Sequence, residues 1–222
     1  MELIKVSLSY LLGSIIGSLV VGRLRGGVDI RKLGSGNAGG TNALRTQGKG
    51  FAFWVMLIDI GKGWLATRVV SSLALPGLTL GAAAGAATST ASAWVAVACG
   101  IAVMLGHVYP IFYGFRGGKG VATLIGAAWG LDAWLLLPML VTWLVSVILF
   151  GFVGLASMLG AAALALAGAV GSWEPRWPLI TFGTLTAVLI AFTHRSNIKR
   201  MLAGTEPRAR RLWLLGLRRE RV

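Results

Sequence analysis

The chain has 222 residues, of which 56% are hydrophobic and only 13% are charged, and its mean hydropathy is +0.77. A soluble domain is usually less than half apolar and about a quarter charged, so this composition excludes an ordinary soluble protein and favours several membrane spans. In a soluble protein the net charge of +14 would suggest binding to nucleic acid. Here the cations lie in loops between apolar runs, where their role in orienting the protein in the membrane explains them. The single cysteine, Cys99, excludes an internal disulfide and a cysteine-based zinc site.

Apolar runs predict seven membrane-spanning helices. In chain order they cover residues 3–22, 51–70, 91–108, 121–138, 138–155, 157–173 and 178–193. The first run is expected to be a retained span, because a charged segment follows it instead of a small-residue cleavage site. Asp132, Pro138 and the segment 151–154 are the expected breaks in the long apolar block. Residues 71–92 are expected to form a loop with some interfacial helix.

The distribution of cations predicts the orientation. With the N-terminus outside, 17 of the 21 Lys and Arg residues fall on one side of the membrane, in the loops 23–50 and 107–120 and the tail 194–222. The positive-inside rule places that side in the cytoplasm. We therefore expect an all-α integral membrane protein forming a single domain, with the N-terminus outside, the C-terminus inside and three cytoplasmic segments that carry the chemistry.

The first cytoplasmic loop contains a tempting nucleotide motif. Gly34, Gly36 and Gly39 form a G-x-G-x-x-G pattern, and Asp59 follows 20 residues after Gly39. Such a dinucleotide fingerprint must follow a buried strand and open a helix. Here predicted membrane spans flank the pattern, so we exclude a nucleotide-binding fold.

The local chemistry of this loop still indicates anion binding. Glycines allow backbone N–H groups to converge on an anion, and a helix N-terminus adds favourable partial charge. Ser35, Asn37, Thr41 and Asn42 add hydrogen-bond donors, and Arg45 can hold a phosphate through two parallel hydrogen bonds. A flexible topology loop would explain the cations but not this concentration of glycine and small polar residues.

The second cytoplasmic loop carries a lysine between glycines. Gly118-Lys119 suggests a P-loop, but Tyr113 and Gly120 occupy the positions where that motif needs Gly and Ser or Thr. A lysine bracketed by glycines at a helix start remains suited to clamping a phosphate. The aromatic residues of this loop are expected to form an interfacial belt.

The segment after the last span brings two polar residues onto one face. His194 and Asn197 are three residues apart, so they share a face if the segment is helical. A lone interfacial histidine is more often structural, but the other two polar loops strengthen a functional interpretation. The arginine-rich tail beyond Pro207 is expected to bind anionic lipid headgroups.

Two opposite charges fall inside the second predicted span. Asp59 and Lys62 are three residues apart, and charges within a membrane are costly, which indicates a functional role by default. A structural ion pair that supports the first loop and a direct contact with substrate both remain open.

Together these stretches resemble the acyl-phosphate:glycerol-3-phosphate acyltransferase family of bacteria. The matching segments are GSGNAGGTNALRTQGKG (34–50), GHVYPIFYGFRGGKGVAT (106–123) and HRSNIKRMLAGTE (194–206), with DIGKG at 59–63. The resemblance implies a seven-span enzyme of the bacterial inner membrane whose active site faces the cytoplasm. It implies transfer of a fatty acyl group from acyl phosphate to the sn-1 hydroxyl of glycerol 3-phosphate, giving lysophosphatidic acid and inorganic phosphate in the first step of phospholipid synthesis.

The resemblance also implies a set of site residues. The implied catalytic positions are Ser35, Arg45, Lys119, His194 and Asn197. The residues expected to bind substrate around them are Gly34, Gly36, Asn37, Gly39, Gly40, Thr41, Asn42, Gly117, Gly118, Gly120 and Glu206. One departure is visible: the family often has a serine where this chain has Gly154, so a hydroxyl contact is either lost or supplied by Ser157.

The implied chemistry suits these residues. An acyl phosphate carries its own leaving group and the substrate supplies the nucleophile, so we expect no enzyme nucleophile, metal or cofactor. Ser35 and the glycine amides are expected to hold the acyl-phosphate head, Lys119 to neutralise the leaving phosphate, and Arg45 to hold glycerol 3-phosphate. His194 and Asn197 are expected to orient the attacking hydroxyl or the carbonyl oxygen.

Two other classes of membrane protein are alternatives. A membrane transporter of phosphorylated metabolites would predict charges near the bilayer midplane and often a repeated half, and no repeat is visible in the sequence. The other class is a non-catalytic membrane assembly factor. For the acyltransferase, the expected partners are its two substrates and membrane lipids, with no nucleic acid and no obligate protein partner.

Overall fold

The structure, a computed structural model, describes residues 2–74, 90–170, 176–210 and 212–213. Every regular element in these residues is helical. The α-helices are α1 Glu2–Gly13, α2 Gly17–Leu24, α3 Gly40–Gln47, α4 Lys49–Trp64, α5 Thr90–Val108, α6 Val121–Leu131, α7 Leu136–Phe150, α8 Val153–Val170, α9 Arg176–Thr193 and α10 Arg195–Leu202. Short 3₁₀ turns lie at Ile30–Lys32, Val70–Ser72, Ile111–Tyr113 and Ala133–Leu135, and a π-helical turn at Leu65–Val69 extends α4.

The chain divides into two compact units, Met1–Asp132 and Ala133–Val222. In the first unit α1 packs on α5, and α4 packs on α6. In the second unit α8 packs on both α7 and α9. The first unit therefore carries the two loops rich in glycine, and the second carries the segment that follows the last predicted span.

Glycines set how closely the helices of the first unit approach each other. A Cβ added at Gly13 of α1 or at Gly106 of α5 would collide with the backbone of the facing helix. A Cβ added at Gly63 of α4 would likewise collide with the backbone of α6, and one at Gly126 of α6 with the backbone of α4. Small residues at such contacts allow backbones to pack tightly where no water drives association.

Several helices are long and apolar enough to cross a membrane. Four qualify singly, Thr90–Tyr113, Ala133–Phe150, Val153–Val170 and Arg176–Thr193, and α1 with α2 makes a fifth if this pair, bent by 47°, is one span. The apolar helix α6 has 11 residues, or about 16 Å at 1.5 Å per residue. The expectation of a multi-span helical membrane protein is confirmed at this level, whereas seven spans and the outside N-terminus stay predictions.

The long apolar block breaks at two of the three expected places. α6 ends before Asp132, which is extended (φ −160°, ψ 128°), and α7 ends at Gly151, which is left-handed (φ 76°). Pro138 lies in the first turn of α7, directly after the 3₁₀ turn Ala133–Leu135, and does not end the helix. The predicted span boundary at residue 138 is therefore wrong, and the helix boundary is at Asp132. Residues 75–89 of the expected loop 71–92 lie outside the described residues.

The outward surface of the second unit is apolar. Leu137, Leu166 and Val188 are 58%, 62% and 64% exposed on α7, α8 and α9. Large apolar side chains in such numbers would be a liability in water, but they suit helices surrounded by lipid.

The start of the C-terminal tail docks on the turn between α7 and α8. The guanidinium of Arg208 lies 4.7 Å from the ring of Phe152 and 3.9 Å from the ring of Trp213. The N–H of Ala209 donates to the carbonyl of Gly151 at 2.8 Å. At least this arginine of the tail is thus used within the protein, and the arginines beyond residue 213, expected to bind lipid, lie outside the described residues.

Candidate functional site

A buried asparagine holds the first loop in shape. Asn42 is 2% exposed, and its Nδ2 donates to the carbonyls of Ile30, Leu33 and Asn37, each at 3.0 Å. Its Oδ1 accepts the N–H of Ser35 at 3.0 Å. An asparagine amide has two hydrogens, so the three carbonyls share them. The side chain expected to bind substrate is instead occupied in bracing the loop.

This bracing leaves three other polar side chains of the loop exposed. Ser35, Thr41 and Arg45 are exposed, and within the part of the chain that the structure describes their side chains make no hydrogen bond or ion pair. α3 begins after Gly39 with no capping side chain, so its first N–H groups lack partners from the helix itself. Gly34 has a φ of 55°, which a side chain would make unfavourable. Exposed hydroxyls, a guanidinium and uncapped helix amides together can hold an anion.

Arg31, which the sequence marked only as a topology cation, joins the first loop to the second. Its NH1 donates to the carbonyls of Tyr113 and Arg116 at 3.2 and 3.0 Å, while Nε and NH2 bind the carboxylate of Asp29 at 3.0 and 2.8 Å. The side-chain hydrogen bond from Arg31 lowers the pKa of Asp29 below its ordinary value, and the same bond raises the pKa of Arg31. Both groups are therefore ionised near neutral pH, and the two loops are held as one body.

The second loop folds back onto the end of α5. The N–H groups of Gly117 and Gly118 donate to the carbonyls of Val108 and His107 at 3.2 and 3.1 Å. A Cβ at Gly117 would collide with the His107 carbonyl, and one at Gly118 would collide with the His107 ring. Close approach to α5 therefore requires both glycines, and the loop itself uses their N–H groups.

Lys119 and Gly120 lead from this turn into α6. Lys119 is half-buried and interacts with other residues of the chain. Gly120 is left-handed, with a φ of 89°, and precedes α6 without a capping side chain. The lysine thus sits beside a second uncapped helix start, as its sequence context predicted.

The ion pair inside α4 caps a break in the first pair of helices. The Nζ of Lys62 donates to the carbonyls of Gly13 and Ile15 at 2.9 and 2.7 Å and lies 3.0 Å from Oδ1 of Asp59. The same carboxylate oxygen accepts the N–H of Gly17 at 3.1 Å. These backbone groups lie where α1 ends and α2 begins. Of the two alternatives left open for this pair, the geometry favours the structural one.

In the second unit, His194 lies at the junction between α9 and α10. It is 4% exposed, and its Nδ1 lies 2.8 Å from the carbonyl oxygen of Ile190. A carbonyl only accepts, so Nδ1 carries a hydrogen and the neutral ring has Nε2 as its acceptor. The backbone of α9 therefore selects the tautomer of this histidine.

Asn197 and Glu206 contact each other in the same unit. The Nδ2 of Asn197 donates to Oε1 of Glu206 at 2.6 Å, and Nε of Arg200 donates to Oε2 at 2.6 Å. A Cβ added at Gly154 would lie 2.9 Å from that Nδ2. The glycine at this position therefore gives Asn197 room. The Oγ of Ser157 donates its hydrogen to the carbonyl of Val153 in its own helix at 2.9 Å.

The predicted site residues thus form two sets. Ser35, Arg45 and Lys119 lie in the first unit, on loops joined by Arg31, whereas His194 and Asn197 lie in the second. Among the residues that the structure describes, no group of three His, Cys, Asp or Glu side chains could hold a metal ion.

Two bracing residues had little signal in the sequence. Arg31 acts through carbonyls more than 80 positions away, and a backbone acceptor can be any residue type. His107 is 2% exposed beneath the second loop and looks in the sequence like one polar residue at the end of an apolar run. Only the glycines that pack against it, at 117 and 118, hinted at a close neighbour.

Comparisons with known proteins identify the family of the chain. The family model "Glycerol-3-phosphate acyltransferase" matches residues 3–204. Proteins of that name from Thioalkalivibrio sulfidiphilus and Halalkalibacterium halodurans are 40% and 42% identical over 200 residues, covering 90% and 89% of this chain and 90% of each relative. Two crystal structures of PlsY (YgiH), described as an integral membrane glycerol 3-phosphate acyltransferase, are 33% identical and cover 93% of this chain and 94% of theirs. One is the glycerol 3-phosphate form (TM-score 0.77) and the other the lysophosphatidic acid form (TM-score 0.76). The chain therefore belongs to the glycerol-3-phosphate acyltransferase family and is a membrane-embedded acyltransferase.

Proposed function

We propose that this acyltransferase uses acyl phosphate as its donor and acylates the sn-1 hydroxyl of glycerol 3-phosphate, releasing lysophosphatidic acid and inorganic phosphate. The observation that carries this proposal is the braced first loop, which leaves Ser35, Thr41 and Arg45 exposed and unpaired among the described residues. Donor and acceptor both bear phosphate, so the main task is to hold two anions side by side. Such positioning can supply about 7–11 kcal/mol of barrier reduction.

The first unit carries the groups proposed to bind phosphate. Ser35 and the amides at the start of α3 bind the acyl-phosphate head, and Lys119 neutralises the phosphate as it leaves. Arg45 holds glycerol 3-phosphate through two parallel hydrogen bonds. Because the N–H groups of Gly117 and Gly118 are used within their loop, the second loop acts through the Lys119 side chain and the start of α6. A donor that stabilises developing charge contributes about 2.7–4 kcal/mol.

The second unit carries the groups proposed to orient the reacting atoms. The bond between Nδ1 and the carbonyl of Ile190 fixes the ring of His194, and His194 orients the attacking hydroxyl. Asn197 is held by Glu206 and orients the same hydroxyl or the carbonyl oxygen. The leaving phosphate can take the proton itself, so His194 orients more than it deprotonates.

We further propose seven spans in a bacterial inner membrane, with the loops 23–50 and 107–120 and the tail 194–222 in the cytoplasm. The asymmetry of Lys and Arg residues supports this orientation. In α4 the two opposite charges are paired with each other at 3.0 Å, which reduces the cost of placing that helix in lipid.

A donor exchange tests the proposed reaction. The purified full-length protein in detergent micelles would be given palmitoyl phosphate and glycerol 3-phosphate, and lysophosphatidic acid and inorganic phosphate would be measured. We expect equal amounts of both products, and no product when acyl-CoA replaces the acyl phosphate. Phosphate release without glycerol 3-phosphate, or equal turnover with acyl-CoA, would overturn the proposal.

An arginine variant tests the proposed acceptor site. Arg45→Lys retains the charge but loses the two parallel hydrogen bonds, so the KM for glycerol 3-phosphate should rise at least tenfold while the KM for acyl phosphate changes little. Arg25→Ala is the matched control, since Arg25 is exposed in the same loop and outside the proposed site. An equal rise in both KM values for Arg45→Lys would argue against this role.

A further inference from the structure

A buried histidine lies between the ion pair of α4 and the second loop. His107 is the second-last residue of α5 and is 2% exposed. Its Nδ1 lies 2.8 Å from Nζ of Lys62 and 3.5 Å from Oδ1 of Asp59. An ammonium group donates and has no lone pair, so Nδ1 accepts from Lys62 and the ring hydrogen is on Nε2.

The opposite edge of the same ring supports the second loop. A Cβ at Gly118 would collide with Nε2 and would lie 3.1 and 3.2 Å from Cε1 and Cδ2 of His107. The N–H of Gly118 also donates to the backbone carbonyl of His107 at 3.1 Å. Both the ring and the backbone of His107 therefore contact the residue directly before Lys119.

The cluster beneath the loop is a costly arrangement. Asp59, Lys62 and His107 are 1%, 3% and 2% exposed, and Oδ2 of Asp59 has no hydrogen-bond partner among the described residues. Buried ion pairs often contribute little net stability, because desolvation offsets the attraction between the charges. The positions in which Lys62 and Asp59 hold the backbone between α1 and α2 and the His107 ring explain this network better than any net stability that it adds.

We propose that His107 is a positioning residue for the transfer reaction, held by Lys62 and Asp59 so that its ring fixes the Gly117–Gly118 turn and thereby the place of Lys119. The proposal rests on the role proposed above for Lys119. Contacts run without a gap from the break between α1 and α2, through Lys62 and His107, to Gly118. The conformation at the end of the first span and the position of the phosphate-binding lysine are thus coupled through one imidazole.

The test is a kinetic cycle on the purified full-length enzyme with His107→Asn, Lys119→Arg and the double variant. Asparagine can place Oδ1 where Nδ1 accepts from Lys62, but it lacks the ring edge beneath Gly118. We expect His107→Asn to lower kcat/KM about 10- to 100-fold, the order of loss that a displacement of about 1 Å produces. Its melting temperature should stay within a few degrees of the parent. If the histidine acts through the lysine, the double variant should be no slower than the slower single variant.

The outcomes separate this proposal from the proposed function. A wild-type rate for Lys119→Arg and for Lys119→Met would refute the role of Lys119 itself, whatever His107 does. If the Lys119 variants are impaired, two results would overturn the positioning role of His107. One is a wild-type kcat/KM for His107→Asn, and the other is a double variant in which the losses from His107→Asn and Lys119→Arg multiply.

A second pair of variants probes the contact from the other side. Gly118→Ala adds a methyl group against the ring and should itself lower kcat/KM. Combined with His107→Asn, the methyl fills the space that the ring leaves, so the double variant should be more active than Gly118→Ala alone. If the losses of kcat/KM from Gly118→Ala and His107→Asn multiply in the double variant, the ring does not act through its contact with Gly118. The proposal then fails, whatever His107→Asn does to the melting temperature.

Discussion

Replacing Asn42 tests whether this residue braces the first loop or binds substrate. Asn42→Ala removes two donated hydrogens and one acceptor, each in a bond of 3.0 Å. Three bonds at about 0.5–1.5 kcal/mol each make a loop destabilisation of about 1.5–4.5 kcal/mol. Asn42→Asp should be worse, since it turns a negatively charged oxygen toward the three carbonyl oxygens that now receive hydrogen bonds.

Limited trypsin digestion measures this loss directly, because the loop contains Arg31, Lys32, Arg45 and Lys49. When reclosing is fast, the cleavage rate follows the population of the open loop, so Asn42→Ala should be cut about 10- to 1,000-fold faster at these sites. Thr41→Ala is the matched control, since Thr41 is an exposed neighbour on α3 and its loss should weaken substrate binding without opening the loop. Wild-type cleavage of both Asn42 variants together with a raised KM would refute the bracing role.

Three further changes test neighbouring contacts. Gly154→Ser should lower kcat about tenfold, because a Cβ there lies 2.9 Å from Nδ2 of Asn197, and an unchanged or higher kcat would contradict that packing. Glu206→Gln should lower the melting temperature by several degrees, followed by tryptophan fluorescence, since it removes a charge-assisted bond of 2.6 Å; an unchanged melting temperature would show that the bond adds nothing. Asp29→Asn should destabilise the joined loops at neutral pH, seen as faster proteolysis. The hydrogen bond from Arg31 holds the pKa of Asp29 below its ordinary value. The stability that the Asp29 carboxylate adds is therefore complete above its pKa in the unfolded chain, and it is lost as the pH falls through its lower pKa in the folded protein. The difference in proteolysis rate between Asp29→Asn and the parent should therefore become smaller below about pH 4. A difference that does not change with pH would refute the contribution of the ionised Asp29 carboxylate.

The helical membrane fold could be predicted from composition and hydropathy alone, because lipid forces a spanning backbone to satisfy its own polar groups. Helix ends were harder to place. Asp132 and Gly151 were found because charge and glycine interrupt an apolar run. Pro138 misled because a proline is tolerated in the first turn of a helix.

The candidate site could be proposed from residue types, but the sequence did not show which of these residues brace the loops. Glycine-rich loops with cations indicated phosphate, and Ser35 and Arg45 are exposed as that interpretation requires. The sequence could not separate Asn42, which is 2% exposed, from these neighbours, because the same residue type can bind a ligand or its own backbone. Gly117 and Gly118 looked like anion-binding glycines, and their N–H groups instead bond to the end of α5.

The break between α1 and α2 has a consequence for how the protein enters the membrane. The carbonyls of Gly13 and Ile15 receive their hydrogen bonds from Lys62, a residue of the next long helix. In lipid an unsatisfied carbonyl costs several kcal/mol, and Lys62 without Asp59 would bring an unpaired charge. Neither the α1–α2 pair nor α4 therefore satisfies all of these polar groups in lipid by itself. In the proposed seven-span arrangement the pair satisfies both carbonyls and neutralises both charges, so we expect the first two spans to enter the membrane together as a hairpin, with the loop proposed to bind phosphate at its bend.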